Sequence, residues 1–171
     1  MKNYQIQDFK CLNCGKEVSS DNLIGTLNKP ISLEFETLVK CFEPKVKYFG
    51  HRNHCPFCLY SKHVDLDISG DRKAECHNLM EPIGLTFKKE GFDKYGKEKQ
   101  GEIMIIHFCP KDQKISINRI AGDDDPKIIL KVFKNYQNLD LEIKDELEKA
   151  RIRLLSDVDE NEIQKQLYGR N

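Results

Sequence analysis

Residues 51–65 read "HRNHCPFCLYSKHVD" and place two cysteines and three histidines within fifteen positions. Thiolate sulfur and imidazole nitrogen are the usual zinc ligands in proteins, and a C-x-x-C turn presents two sulfur atoms to one ion. This stretch contains such a pair, Cys55 and Cys58, and "FKCLNCGKEV" (9–18) contains another. The two pairs together predict a closed four-thiolate zinc site made of Cys11, Cys14, Cys55 and Cys58.

Two other interpretations of the cysteine pairs are a redox dithiol and ordinary buried cysteines. A redox C-x-x-C usually opens a helix within a βαβ pattern, and neither pair has that setting. Zinc is therefore the favoured interpretation. Because a site closed by four thiolates has no vacancy for a substrate, we expect this ion to be structural.

The remaining cysteines indicate a second site. Cys76 and Cys109 lie outside the pairs, and "HFCPKDQK" (107–114) resembles a knuckle whose second cysteine has become Asp112. Carboxylate oxygen can bind zinc, although it is less common in structural sites. The predicted ligands of the second site are His63, Cys76, Cys109 and Asp112.

This second site leaves alternatives open. His107 or His77 could replace one of the predicted ligands, Cys76 could be a small buried residue, and His107 could be a core histidine. A weak bond from Asp112 would leave an open position at which chemistry could occur. Cys41 is assigned to neither site.

Composition fits a chain that depends on such metal ions. The 171 residues are 39% hydrophobic and 33% charged and include no Trp, so the core is lean. The net charge is zero: residues 1–122 carry 19 Lys/Arg and 16 Asp/Glu, and residues 123–171 carry 9 and 12. This mild asymmetry neither requires nor excludes a nucleic acid.

Hydropathy predicts a protein without a membrane partner. The first residues lack the apolar centre of a signal peptide, and the longest apolar stretch, "IMIIHF" (103–108), is too short to span a bilayer. We expect a soluble, cytoplasmic protein, in which reduced thiols are available to metals.

Alternating apolar residues predict a small antiparallel sheet. Strands are expected at the first knuckle and in "ISLEFETLV" (31–39), "HVDLDI" (63–68), "IGLTFKKEGF" (83–92), "EIMIIHF" (102–108) and "KISINRI" (114–120). The charged segment "DKYGKEKQG" (93–101) reads as a mobile hairpin tip.

The pattern becomes helical after residue 122. Asp125-Pro126 is typical of a helix start, and "DLEIKDELEKARIRLL" (140–155) carries Ile143, Leu147, Ala150 and Leu154 at helical spacing. Ser156 with Asp159 begins a further turn that Gly169 should end. The predicted fold class is α+β: a zinc-ribbon-type β domain at 1–122 with an inserted segment at about 19–50, and a helical C-terminal extension at 123–171.

Several motifs in order carry a family resemblance. They are "RNHCPFCLYSKHVD" (52–65), "GDR" (70–72), "CHNLMEPIG" (76–84), "GEIMIIHFC" (101–109) and "NRIAGDDDP" (118–126). Over roughly residues 9–130 the chain resembles the bacterial RNHCP domain proteins, a zinc-ribbon-like group without an established activity. The resemblance implies metal binding by the two cysteine pairs. Family members commonly have a C-x-x-C where this chain has Cys109 and Asp112. The segment around 25–50 is longer than usual for the family and the helices after about 136 are an extension, so nothing in the family carries over to those parts.

Polar residues beside these motifs predict a non-catalytic protein that binds RNA or a ribonucleoprotein such as the ribosome. Zinc ribbons are often binding platforms, and arginine beside aromatic rings suits looped or single-stranded RNA. Phe57 or Tyr60 would stack on a base. The predicted nucleic-acid-binding residues are Arg52, Asn53, His54, Arg72 and Arg119.

Three other roles compete with RNA binding. The polar residues could support the metal sites, with His54 and Asn53 donating to thiolates and Asp71 or Asp124 pairing with arginines. A metal-dependent hydrolase could use His54 with one of those carboxylates beside an arginine, although H-E-x-x-H and the deaminase motif are missing from the sequence. A protein-interaction adaptor could use the apolar stripe of the C-terminal helices.

Overall fold

The computed structural model describes residues 9–18, 54–66, 71, 73–97, 99–135 and 139–169. Some sequence predictions lie outside these residues: the strand at 31–39, Cys41, Arg52, Asn53 and Arg72.

The strands form two antiparallel sheets. Strands β1 (Phe9–Lys10) and β2 (Glu17–Val18) make a short hairpin around the first knuckle. A four-stranded sheet has the order β3-β4-β5-β6. Its strands are β3 (Ser61–Lys62), β4 (Leu79–Phe87), β5 (Ile103–Cys109) and β6 (Lys114–Arg119).

Strand β4 contains an irregularity that adapts it to a neighbour. The register with β5 shifts between Pro82 and Gly84, as in a β-bulge, which bends a strand locally. A Cβ at Gly84 would overlap the Leu154 side chain. Glycine therefore allows the segment after the second helix to lie directly on the strand.

Three helices follow the sheet. Helix α1 (Pro126–Lys134) begins as predicted, because the Asp125 side chain accepts a hydrogen bond from the Lys127 amide and Pro126 occupies the first turn. Helix α2 is Leu141–Lys149 and helix α3 is Glu160–Tyr168. A short 3-10 helix (Asp157–Asp159) leads into α3 with the expected capping box.

Helix ends agree only in part with the sequence prediction. Gly169 ends α3 at a φ of 64° as expected. The helix predicted through Leu154 ends earlier, because Ala150 caps α2 and Arg151 turns the chain at a φ of 54°. Leu154 still packs with Leu147, but it does so from the segment that follows the turn.

The core lies on both faces of the four-stranded sheet. On one face, β5 contributes Ile103 and Ile105 to a cluster with α1 and α3. On the other, Ile106 packs against Leu147 of α2. The Leu155 amide also donates to the Leu85 carbonyl at 2.9 Å. The segment predicted as an extension therefore shares its hydrophobic core with the sheet.

The structure confirms the α+β class, with antiparallel sheets and three helices among the described residues; the zinc-ribbon type stays a prediction. The strand predicted at 63–68 is wrong where it can be seen, because β3 ends at Lys62 and residues 63–66 follow as irregular chain. No helix in the described part of the chain is long and apolar enough to cross a membrane.

Candidate metal centres

Two knuckles with the same backbone geometry carry the cysteine pairs. In the first, the Cys11 amide donates to the Lys16 carbonyl at 2.8 Å, and the Gly15 amide donates to the Cys11 carbonyl at 2.9 Å. In the second, the Cys55 amide donates to the Tyr60 carbonyl at 2.9 Å, and the Leu59 amide donates to the Cys55 carbonyl at 2.8 Å. The second cysteine of each pair is thereby turned back toward the first.

The residue after the second cysteine is left-handed in both knuckles. Gly15 has a φ of 72° and Leu59 a φ of 61°. Glycine adopts this conformation without strain, whereas a leucine pays a steric cost of about 1–2 kcal/mol. Leu59 is completely buried in the main core cluster, and burial of its side chain offsets that cost.

The first metal group consists of the four cysteines predicted from the sequence. The Sγ atoms of Cys11 and Cys58 are 3.5 Å apart, and those of Cys14 and Cys55 are 3.6 Å apart. All four sulfur atoms lie within 4.8 Å of one another. Sulfur atoms bonded to one tetrahedral zinc at about 2.3 Å would be about 3.8 Å apart. The spacing therefore suits a tetrahedral metal ion.

The pKa values of these thiols favour a cation bound between them. Burial raises the pKa of Cys55 and of Cys58, since a lone thiolate would be poorly solvated there. Burial also acts to raise the pKa of Cys14, but hydrogen bonds from the Lys16 backbone and neighbouring thiols lower it to about 7. A divalent ion would compensate the charge of the Cys55 and Cys58 thiolates, which burial alone disfavours.

The second metal group consists of the four ligands predicted from the sequence. His63 Nδ1 is 3.1 Å from Cys76 Sγ and 3.0 Å from an Asp112 carboxylate oxygen, and the Sγ atoms of Cys76 and Cys109 are 3.8 Å apart. All four ligand atoms lie within 4.8 Å of one another. Two sulfurs, one nitrogen and one oxygen at this spacing could also hold a tetrahedral ion.

A third knuckle explains how Asp112 joins this group. Cys109 pairs with Lys114 across the β5–β6 turn. The same sequence separation of five residues lies between Cys11 and Lys16, whose backbones are bonded in the first knuckle. Gln113, the residue after Asp112, has a φ of 53°. Asp112 thus occupies the position that a second cysteine has in the other knuckles, as the sequence predicted.

Burial distinguishes the ligands of the second group. His63 and Cys109 are buried, whereas Cys76 and Asp112 are partly exposed. Burial together with a hydrogen bond to Asp112 raises the pKa of Cys76 to about 11. A metal ion would be needed to keep this thiol ionised near neutral pH.

His107 lies in the core and is not a member of either group. Its Nε2 donates to the Leu59 carbonyl at 2.6 Å, and its Nδ1 lies 3.0 Å from the Asn118 side-chain nitrogen, which donates to it. Burial, with repulsion from His54, lowers the pKa of His107 to about 3. A neutral imidazole therefore ties the second knuckle to strands β5 and β6. His77, the other substitute ligand considered, is exposed and also outside both groups.

His54 is directed inward. The residue is only 3% exposed, and its Nε2 is 2.7 Å from an Asp124 carboxylate oxygen. That oxygen also accepts from the Ala121 amide at 2.8 Å, and the Asp125 amide donates to the Pro56 carbonyl at 3.3 Å. His54 Nε2 therefore faces Asp124 beside the start of α1, little of the residue reaches the surface, and its role in nucleic-acid binding stays a prediction.

The surface around the knuckles carries aromatic and basic groups. Phe57 is 44% exposed, and the Lys16 ammonium lies 4.2 Å from its ring centroid. The Tyr60 hydroxyl donates to Glu81 at 3.1 Å. The Arg119 side chain is 60% exposed and contacts Glu102 at 3.1 Å. Lys16 was missed by the sequence analysis, because its position over the Phe57 ring depends on two segments meeting.

Comparison with known proteins places the chain in a family. The RNHCP domain matches residues 39–130, which is more than half of the chain and includes both ligands of the second knuckle and all four ligands of the second group. No curated protein and no solved structure matches the sequence. The predicted family is confirmed: the chain belongs to the RNHCP domain family.

Proposed function

We propose that the protein is a non-catalytic RNA-binding module whose fold is held together by two zinc ions. The observation that carries the proposal is the pair of four-ligand groups, each with its ligand atoms within 4.8 Å. Sulfur-rich tetrahedral groups favour zinc over the hard cations magnesium and calcium, which prefer oxygen.

The first zinc ion would join two parts of the chain that are far apart in sequence. Cys11 and Cys14 belong to the β1–β2 hairpin, and Cys55 and Cys58 belong to the knuckle before β3. The local cluster around the group contains Val18 and the cysteines themselves. Because the described residues give the hairpin only this small apolar cluster, metal bonds would add substantially to its stability.

The Phe57 surface supports RNA as the ligand. An exposed ring offers a flat face on which a base can stack, and the lysine beside it offers a charge to the neighbouring phosphate. Arg119 offers an exposed guanidinium farther along the sheet, at the β6 residue that pairs with Met104. Arg52, Asn53 and Arg72 complete the predicted contact set and stay predictions.

The enzyme and adaptor interpretations have less support. His54 does pair with Asp124, as a hydrolase would need, but both side chains are buried, and the Asp124 carboxylate also accepts from the Ala121 amide. A general acid or base must reach its substrate. The apolar stripe of α2 packs on its own sheet through Ile143 and Leu147, which leaves that stripe unavailable to a partner.

Two measurements test the proposal. Elemental analysis of the purified protein should find two zinc ions per chain, and a content near zero with an intact fold would overturn the metal assignment. For RNA, we expect Phe57→Ala to weaken binding of a labelled single-stranded oligoribonucleotide about fivefold or more. The matched control is Val158→Ala, which removes an exposed apolar side chain from the 3-10 helix. Equal affinity of wild type and Phe57→Ala would remove Phe57 from the binding surface.

A further inference from the structure

The end of the β4–β5 hairpin, residues 88–101, displays two aromatic rings to solvent. Phe92 is 70% exposed and Tyr95 is 81% exposed. Exposed single apolar residues are common on proteins, but two aromatic rings three positions apart on one turn form a distinct surface. The sequence analysis described this segment only as charged and mobile.

The backbone of this turn is fixed by its own hydrogen bonds. An Asp93 carboxylate oxygen accepts from the Tyr95 amide at 2.8 Å and from the Lys97 amide at 2.9 Å. The Asp93 amide donates to the Lys97 carbonyl at 2.8 Å, and the Lys99 amide donates to the Gly91 carbonyl at 2.9 Å. The rings therefore project from an organised turn, which lowers the entropy lost when a ligand binds.

Charges on the turn favour an anionic ligand. Residues 88–101 contain five lysines and three acidic residues. Glu90 pairs with Lys88 at 2.7 Å, and the Asp93 carboxylate is directed to backbone amides. Three lysines close to the rings in sequence are exposed: Lys94, Lys97 and Lys99.

The same pairing of ring and ammonium occurs here as on the second knuckle. The Lys94 ammonium lies 4.9 Å from the Tyr95 ring centroid, and Lys16 lies 4.2 Å from that of Phe57. A nucleotide presents a flat base and a phosphate side by side, so both surfaces offer the chemistry that a single strand requires.

We propose that the end of the β4–β5 hairpin is a second contact site for single-stranded RNA. Phe92 and Tyr95 stack on bases, and Lys94, Lys97 and Lys99 contact phosphates. The inference rests on the proposed RNA-binding function and adds a site outside the metal knuckles.

The two contact sites lie toward opposite ends of the sheet. The second knuckle joins β4 and β5 near Glu81 and His107, and pairing of these strands continues to Phe87 and Ile103. Six residues of antiparallel strand span about 20 Å. A short oligonucleotide can therefore occupy one site. A longer strand can occupy both, and its affinity rises because binding at one site holds the strand close to the other.

The test compares two oligouridines, of about 4 and about 12 nucleotides, on the zinc-loaded full chain. The double variant Phe92→Ala/Tyr95→Ala should bind the longer strand about tenfold or more weakly than wild type. Restoring rings in Phe92→Tyr/Tyr95→Phe should recover the affinity. The control Leu141→Ala/Val158→Ala removes two exposed apolar side chains elsewhere and should leave it unchanged. Melting temperatures confirm that all variants fold.

The outcomes separate this inference from the function on which it rests. Loss of affinity in the Phe92/Tyr95 variant but not in its control supports the hairpin site, whether or not Phe57→Ala also weakens binding. Loss in Phe57→Ala alone overturns the hairpin site and leaves the knuckle surface in place. Absence of RNA binding by wild type overturns both. Binding of wild type to phosphatidylcholine–phosphatidylserine vesicles, lost in the Phe92/Tyr95 variant while RNA affinity is kept, would assign the turn to lipid instead and overturn the site.

Discussion

The two metal groups reach similar geometry by different routes. In the first, two turns of the same form each contribute two thiols, and the only long-range requirement is that the turns meet. In the second, four ligands come from separate places: after β3, before β4, the end of β5 and the β5–β6 turn. The first group is therefore assembled mainly from local structure, and the second depends on the sheet.

The two groups also differ in the chemistry of their ligands. Four thiolates bind zinc strongly and shield it, whereas a histidine and a partly exposed carboxylate give a weaker and more accessible site. Among the described residues, the apolar cluster beside the first group consists of Val18 and the cysteines. The second joins strands that already share the main sheet and its apolar clusters. Loss of metal should consequently cost more at the first group than at the second.

The largest effect is expected from Cys55→Ser. Structural zinc contributes on the order of 10 kcal/mol to small zinc domains, which is comparable to the whole stability of an ordinary domain. We expect a sharp fall in melting temperature and the loss of one zinc ion per chain by elemental analysis. Cys41→Ser is the control, since the sequence assigns Cys41 to neither group. An unchanged melting temperature for Cys55→Ser would contradict the four-cysteine assignment.

Asp124→Asn tests whether the first group depends on the helical segment. The substitution removes the charge that holds His54 beside Cys55, and we expect a loss of about 1–3 kcal/mol in the free energy of unfolding. Denaturant titration measures this loss, and zinc content should stay at the wild-type value. The exposed neighbour gives the control, Asp123→Asn. Equal stability of the two variants would show that the His54–Asp124 contact contributes little.

Asp112→Cys should make the second group resemble the first. A third thiolate in place of the carboxylate is expected to slow zinc release to a chelator about tenfold, because thiolate is the softer and stronger ligand. Release followed with a chromogenic chelator should show two phases in wild type, with only the faster one slowed. Asp112→Asn, which keeps the shape and removes the charge, should speed that phase. If the faster release phase had the wild-type rate in both variants, Asp112 would be excluded as a ligand.

The smallest effect should have the opposite sign. Gln113 is exposed and left-handed in the third knuckle, so Gln113→Gly should raise the free energy of unfolding by about 0.5–1 kcal/mol. Gly15→Ala is the reverse substitution in the first knuckle, where open space surrounds the position, and it should destabilise by a similar amount. Thermal unfolding of the two variants and of wild type measures both changes in stability. A loss of stability in Gln113→Gly would mean that the glutamine side chain makes a contact that stabilises the fold by more than the left-handed backbone costs.

Much of the metal chemistry could be predicted from the sequence. Ligand type and a spacing of three residues define a knuckle locally, which is why the residues of both groups, including Asp112, could be predicted without a structure. Helix α1 was equally predictable, because Asp125 and Pro126 act within one turn. The strand expected at 63–68 was wrong over residues 63–66, where β3 has already ended at Lys62 and His63 contributes to the second group.

Other features were decided only by packing. His54 reads as a surface ligand in its motif, yet its partner Asp124 lies 70 residues away and draws it inward. Leu59 adopts a left-handed turn that no local preference predicts, because the core takes up its side chain.

The sequence by itself determined which atoms could bind metal and where helices begin, since those properties depend on residue type and short spacing. The tertiary structure alone decided which of the polar and aromatic residues near the motifs face solvent. Burial is a property of the whole packed chain, because segments distant in sequence cover some side chains and leave others open. Phe57, Phe92 and Tyr95 are exposed, whereas His54 is buried.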